Sequence, residues 1–191
     1  MNTQQIMTNF IAGNYQQVYC PQSEMTFLTN VFDYDSTHVL LEKRSLGLEY
    51  YRGAIHTKQL SKVPTMQSLG VIDEEDNNVA PPSTKEIYAG DETDYRFIYL
   101  MEKLQHLKED DASYFDATIK ELDVHSKRER QDILEDVCCR YNAQLATDIE
   151  RLYDFYLEHQ DVLAWDLHCD NFMQRIDTGE IIILDPYTRK A

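Results

Sequence analysis

Three polar residues close to the C-terminal end have types and spacing that could do chemistry. Asp166 and Asn171 lie five residues apart in Ala164-Trp165-Asp166-Leu167-His168-Cys169-Asp170-Asn171-Phe172-Met173. Asp185 follows the apolar run Ile181-Ile182-Ile183-Leu184 and precedes Pro186. Phosphoryl transfer depends mainly on positioning and charge neutralisation. One aspartate orients the attacking hydroxyl, and an asparagine and a second aspartate hold Mg²⁺ against the phosphates. Asp166, Asn171 and Asp185 stand in that order, with a strand–turn–strand predicted between the two motifs. His168 is predicted to brace the loop by hydrogen bonds.

The elements that must position this set can be read from periodicity. Residues 130–159 carry Leu134, Val137, Cys138, Tyr141, Leu145, Ile149, Leu152, Tyr153 and Tyr156 at spacings of three and four, which predicts one long amphipathic helix aimed at the loop. Its tyrosines are read as core. Further upstream, residues 9–43 read as β-rich, with a hairpin over 9–19 turning at Gly13 and strands over 25–32 and 37–41. Lys43 then shares a strand face with Leu41. A helix is predicted over 45–62, carrying Glu49 and ended by Val63-Pro64. Strands follow over 67–72, 85–89 and 95–100, separated by acidic loops at 73–78 and 91–94. From residue 108 the pattern turns helical, opening on Glu109-Asp110-Asp111, acids suited to a helix N-terminus.

The run Asp166-Leu167-His168-x-x-Asn171 resembles the catalytic loop of aminoglycoside and choline phosphotransferases. With Asp185-Pro186 closing the motif, the chain resembles the early serine/threonine kinases of bacteriophages, members of the protein-kinase-like superfamily. The specific resemblance covers 160–187. It implies an α+β, two-lobe fold, with an antiparallel N-lobe sheet plus one helix over 1–104 and a truncated, mostly helical C-lobe over 105–191. It also implies ATP and Mg²⁺ as cofactors, with Asp166 catalytic and Asn171 and Asp185 holding the metal. Lys43 would reach the phosphates, supported by Glu49. Gly13 would sit in the loop over the nucleotide, and backbone around Met101 to Leu104 would meet the adenine. The sequence departs from the protein-kinase pattern in four places. Only one glycine is present in the candidate phosphate loop. Trp165 and Ala164 replace Arg and His, six residues separate Lys43 from Glu49, and five residues follow Pro186, too few for an activation segment.

Bulk composition limits the partners. The 191 residues hold 18 Lys and Arg against 34 Asp and Glu, a formal net charge of −16. Sequence-independent nucleic-acid binding rests on neutralising phosphates, so the charge argues against direct nucleic-acid binding and favours a basic protein partner. The resemblance implies a host protein, in the transcription or translation machinery. The four cysteines, Cys20, Cys138, Cys139 and Cys169, show no disulfide framework and no cysteine pair at zinc spacing, which predicts a reducing cytoplasm. The N-terminus does not read as a signal peptide, and no apolar run is long enough for a membrane span. Three activities stay open: a serine/threonine kinase, a kinase-fold protein that binds a basic host factor without chemistry, and a small-molecule phosphotransferase.

Overall fold

A computed structural model describes residues 2–18, 29–44, 47–81 and 95–190. The protein is α+β, with an antiparallel sheet and five α-helices among the described residues. The chain divides into two compact units, Met1–Ser45 with Thr65–Lys103, and Leu46–Pro64 with Leu104–Ala191. The sequence division at 104 had put residues 46–64 in the first unit; their contacts group them with the second.

The first unit opens with helix α1 (Thr3–Ile11), capped by the Asn2 side chain accepting from the Gln4 N–H at 3.1 Å. Its strands are β1 (Thr29–Asp33), β2 (His38–Lys43), β3 (Met66–Ile72), β4 (Asn78–Val79) and β5 (Arg96–Glu102), all antiparallel in the order β1-β2-β5-β3-β4. Ile6, Met7 and Phe10 recur at helical spacing and pack on Leu40, Leu69, Ile72 and Ile98 of the sheet. The hairpin predicted over 9–19 is therefore corrected. Phe10 and Ile11 finish a helix, and Gly13 follows in a left-handed turn at φ 71°. Among the described residues of that stretch, Gln17 makes a sheet bridge to Phe32. The acidic loop at 73–78 is a tight turn between β3 and β4, with Asp73 accepting from the N–H groups of Glu75 and Asn77 at 3.0 and 2.9 Å. The predictions over 25–28, 85–89 and 91–94 lie outside the described residues.

The second unit contains α2 (Gly47–Lys58), α3 (Glu109–Thr118), α4 (Lys127–Arg140) and α5 (Ala143–Glu158). A three-stranded sheet joins β6 (Leu104–His106), β8 (Phe172–Arg175) and β9 (Ile181–Ile183), and a two-stranded one pairs β7 (Leu163–Trp165) with β10 (Tyr187–Arg189). Two helix boundaries correct the sequence reading. Helix α2 stops at Lys58, well before Pro64, because Gln59 takes a left-handed conformation at φ 54° and Leu60 N–H reaches back to Ile55 O at 3.2 Å. The single helix over 130–159 is two helices. Asn142 is extended and its side chain caps α5 by accepting from Leu145 N–H at 2.9 Å. The apolar spacing runs on across that break, so periodicity alone missed the cap. At the start of α4, Ser126 and Glu129 form a reciprocal capping box. Among the described residues, no helix is long and apolar enough to cross a membrane.

Candidate functional site

The Asp166–Asn171 loop leaves β7 and is folded by its own backbone. Asp166 N–H donates to Pro186 O at 2.9 Å, continuing the β7–β10 pairing one step beyond Trp165 and Tyr187. The chain then makes a 3₁₀ turn over Cys169–Asn171, closed by Asn171 N–H to His168 O at 2.9 Å. The Asn171 side chain points back and donates through Nδ2 to Asp166 O at 2.6 Å. Leu184 N–H donates to Asn171 O at 2.7 Å, so the residue before Asp185 is tied to the end of the loop. Asp166, Asn171 and Asp185 are thereby brought together by backbone geometry. The β8–β9 hairpin between them pairs Phe172 with Ile183 and turns at Gly179, as the sequence predicts.

Buried aromatic rings support this loop from below. Phe172, the residue after Asn171, stacks on Phe115 of α3 at 3.9 Å between centroids, and Phe115 stacks on Tyr141 at 5.1 Å. Trp165 meets Tyr153 edge-on and donates through Nε1 to Ile119 O at 3.3 Å. Tyr187 is buried and its hydroxyl donates to Leu152 O at 2.8 Å; burial holds its pKa far above the usual value. Of the three tyrosines assigned to the core, Tyr153 is buried at 7% exposure, whereas Tyr141 and Tyr156 are half-buried.

Helix α2 closes the other side of Asp185. A Cβ on Gly47 would lie 2.0 Å from Tyr187 O and 3.2 Å from Asp185 Oδ1, so only glycine lets the first turn of α2 approach the Asp185–Tyr187 backbone. Asp185 Oδ1 is buried. Tyr51 of α2 is fully buried and donates to Ile183 O at 2.5 Å. Burial, then the charge of Asp185, pushes its pKa well above normal, so the phenol stays a neutral donor.

Several structural residues were missed by the sequence reading. Asp148 is fully buried on α5 and accepts from Ser61 N–H at 2.8 Å, Lys62 N–H at 2.6 Å, Ser61 Oγ at 3.3 Å and Gln144 Nε2 at 2.8 Å. Lys62 O in turn accepts from Ile183 N–H at 2.8 Å, which links α5 to the strand before Asp185. The available signal was a carboxylate lying among Leu145, Ile149 and Leu152 on the apolar stripe. Glu180 is bonded to both Lys62 and Arg175, and the Lys62 hydrogen bond is the main cause of its lowered pKa. Arg175 also donates to Val63 O at 3.2 Å.

The remaining predicted residues fall in different settings. Glu49, on α2, bonds Arg52 at 2.8 and 3.1 Å. Lys43 ends β2 in the first unit, opposite Phe97 of β5 and Thr29 of β1. Its neighbour Glu42 is buried and bonded to Asn30 at 2.9 Å and Arg96 at 3.4 Å. Gly13 lies in the turn after α1. Met101 is buried within β5, paired with Val39 and Met66, and the N–H groups of Glu102 and Lys103 already donate to Thr65 O at 3.0 Å and Thr37 O at 2.7 Å. The backbone donors expected to meet adenine at 102 and 103 are thus engaged within the sheet unit.

No protein-family model, no curated protein and no solved structure matches this chain.

Proposed function

We propose that this protein is a kinase-type phosphotransferase, and that the loop and hairpin of the second unit carry its chemistry. The observation behind this reading is the convergence of Asp166, Asn171 and Asp185 through three hydrogen bonds, Asp166 N–H to Pro186 O, Leu184 N–H to Asn171 O and Asn171 Nδ2 to Asp166 O. Asp166 accepts the hydrogen bond of the acceptor hydroxyl and orients it for in-line attack. Asn171 commits its amide nitrogen to the loop, and among the described residues nothing donates to its Oδ1. That oxygen and the Asp185 carboxylate are hard oxygen donors, the type Mg²⁺ takes, so the residues fit the ion. When bound, Mg²⁺ supplies charge neutralisation on the phosphates of ATP. By the resemblance alone, Lys43 is the candidate phosphate cation. The resemblance to phage early kinases makes the acceptor a serine or threonine of a host protein, and the chain's charge of −16 favours a basic one.

A second reading is favoured by two observations: Asp185 Oδ1 is buried against α2, and the N–H groups of Glu102 and Lys103 are occupied. Under it the protein binds a basic host factor through its acidic surface without transferring phosphate. A small-molecule phosphotransferase is the third reading, resting on the loop resemblance alone.

Thermal unfolding with and without Mg-ATP separates the first two readings, wild type beside Asp185→Ala. A native-state ligand at a hundred times its dissociation constant adds about 2.7 kcal/mol. We expect an upward shift in wild type that disappears in Asp185→Ala. No shift in a folded wild-type protein would turn the assignment to the acidic binder. Label transfer from ATP to a small alcohol or aminoglycoside, with none to protein, would support the third.

A further inference from the structure

Cysteine spacing gives no zinc motif, yet folding assembles mixed donors on the 3₁₀ turn. A ring nitrogen of His168, Cys169 Sγ and an Asp170 carboxylate oxygen all lie within 4.8 Å of one another. Cys169 Sγ is 3.8 Å from Asp170 Oδ1, and His168 Nδ1 is 3.6 Å from Asp170 Oδ2. A fourth donor arrives from α3, with Asp116 Oδ1 at 4.0 Å from Cys169 Sγ. Zinc takes thiolate sulfur at about 2.3 Å and nitrogen or oxygen at about 2.0–2.2 Å, so two ligands of one tetrahedral ion stand roughly 3.3–3.7 Å apart. The separations of 3.6, 3.8 and 4.0 Å lie within a few tenths of an ångström of that spacing, and the His168–Cys169 pair lies within 4.8 Å.

The geometry points to a binding site for one divalent cation of the zinc class, ligated by His168 Nδ1, Cys169 Sγ and an Asp170 oxygen, with Asp116 as the fourth ligand. Imidazole nitrogen, thiolate sulfur and carboxylate oxygen together suit a borderline ion such as Zn²⁺ or Co²⁺ and not Mg²⁺, which prefers oxygen alone. Binding forms the metal–sulfur bond and releases the Cys169 thiol proton to solvent. His168 Nδ1 accepts from Asp170 N–H at 3.4 Å, and this long hydrogen bond must be given up for the lone pair to ligate the ion. Asp116 must leave its contact with Lys120, an exposed pair at 3.5 Å that contributes little. The bound ion would tie α3 to the turn between Asp166 and Asn171 and hold that turn rigid. This site is separate from the phosphotransferase reading and stands or falls without it.

The test is titration of the reduced full-length chain with Co²⁺, without nucleotide or Mg²⁺, reading the near-ultraviolet thiolate-to-cobalt charge-transfer band. One equivalent should produce the band and Zn²⁺ should displace it. The band should survive in a Cys20→Ser, Cys138→Ser, Cys139→Ser chain, and disappear in Cys169→Ser. Asp116→Asn, an exposed change on α3 that leaves the fold intact, should weaken binding at least about tenfold, the loss seen even for outer-shell partners. Absence of a band in the folded wild type overturns the site. So does its loss in the three-serine chain, its persistence in Cys169→Ser, or an unaltered affinity in Asp116→Asn.

Discussion

The two units keep their shape by different means. In the first, an apolar helix face, Ile6, Met7 and Phe10, covers an antiparallel sheet in which β1–β2 and β3–β4 are joined by short turns. In the second, the segments that flank the loop bearing Asp166 and Asn171 are joined by long-range bonds from side chain to backbone, Asp148 to Ser61 and Lys62, Tyr51 to Ile183, Tyr187 to Leu152. Side-chain packing tolerates exchange of one hydrophobe for another of similar volume. A buried side chain that bonds backbone does not, because its loss leaves the backbone groups unsatisfied. The candidate chemistry is built on the second kind of support.

The largest test of this contrast is Asp148→Ala beside Ile98→Ala. Removing the Asp148 carboxylate strands several donors at once, and about 3 kcal/mol or more should be lost in chemical denaturation. Ile98→Ala makes a cavity under α1 and should cost about 2–5 kcal/mol. The contrast lies in rescue: Ile98→Val should recover most of the loss, whereas Asp148→Leu, apolar and of similar size, should recover none. Recovery by Asp148→Leu would show that the second unit is held by packing after all.

Gly47→Ala comes next. The added Cβ meets Tyr187 O, a backbone atom, so either α2 or the Asp185–Tyr187 segment must shift. A loss of about 1–3 kcal/mol is expected from such overpacking. Gly13→Ala, strained by its positive φ but open in space, should cost about 1 kcal/mol. Equal losses would remove the argument that α2 is closely fitted to Asp185.

The smallest effect is in pH dependence. Glu180 has a folded pKa lowered from 4.5, chiefly by its Lys62 hydrogen bond. Its stabilisation is complete above that unfolded value and fades as pH falls through the folded one. Asp35, in the first unit, is lowered from 3.8 to about 2, with the Thr37 N–H bond as the largest cause. Its stabilisation is complete above 3.8 and fades toward about 2. Each group is partly exposed, which keeps the contribution small. Denaturation of wild type, Glu180→Gln and Asp35→Asn from pH 7 downward should show the Glu180 gap starting to close first. An Asp35 gap that closes before it would contradict these environments.

How much of this was legible in the sequence depended on the range of the interaction. The β8–β9 hairpin, strands β2, β3 and β5, and the acidic start of α3 were readable, because alternation, turn residues and helix-end charges are local. The first helix was read as a hairpin because Phe10, Ile11 and Val18 suit strands, and the Asn2 cap was overlooked. The break at Asn142 escaped because Val137, Tyr141 and Leu145 stay in phase across it. Of the site residues, Asp166, Asn171 and Asp185 were found by type and spacing, while Asp148, Tyr51 and Gly47 had no local pattern to give them away.

By itself, the sequence determined the order of the three candidate chemical residues, the hairpin between them and the acidic charge, since these depend on residue type and near neighbours. Tertiary structure alone decided that Asn171 turns back on Asp166 O, that α2 closes on Asp185, and that Asp116 reaches Cys169 from 53 residues away. The last two contacts join segments far apart in sequence, and no local preference encodes that approach.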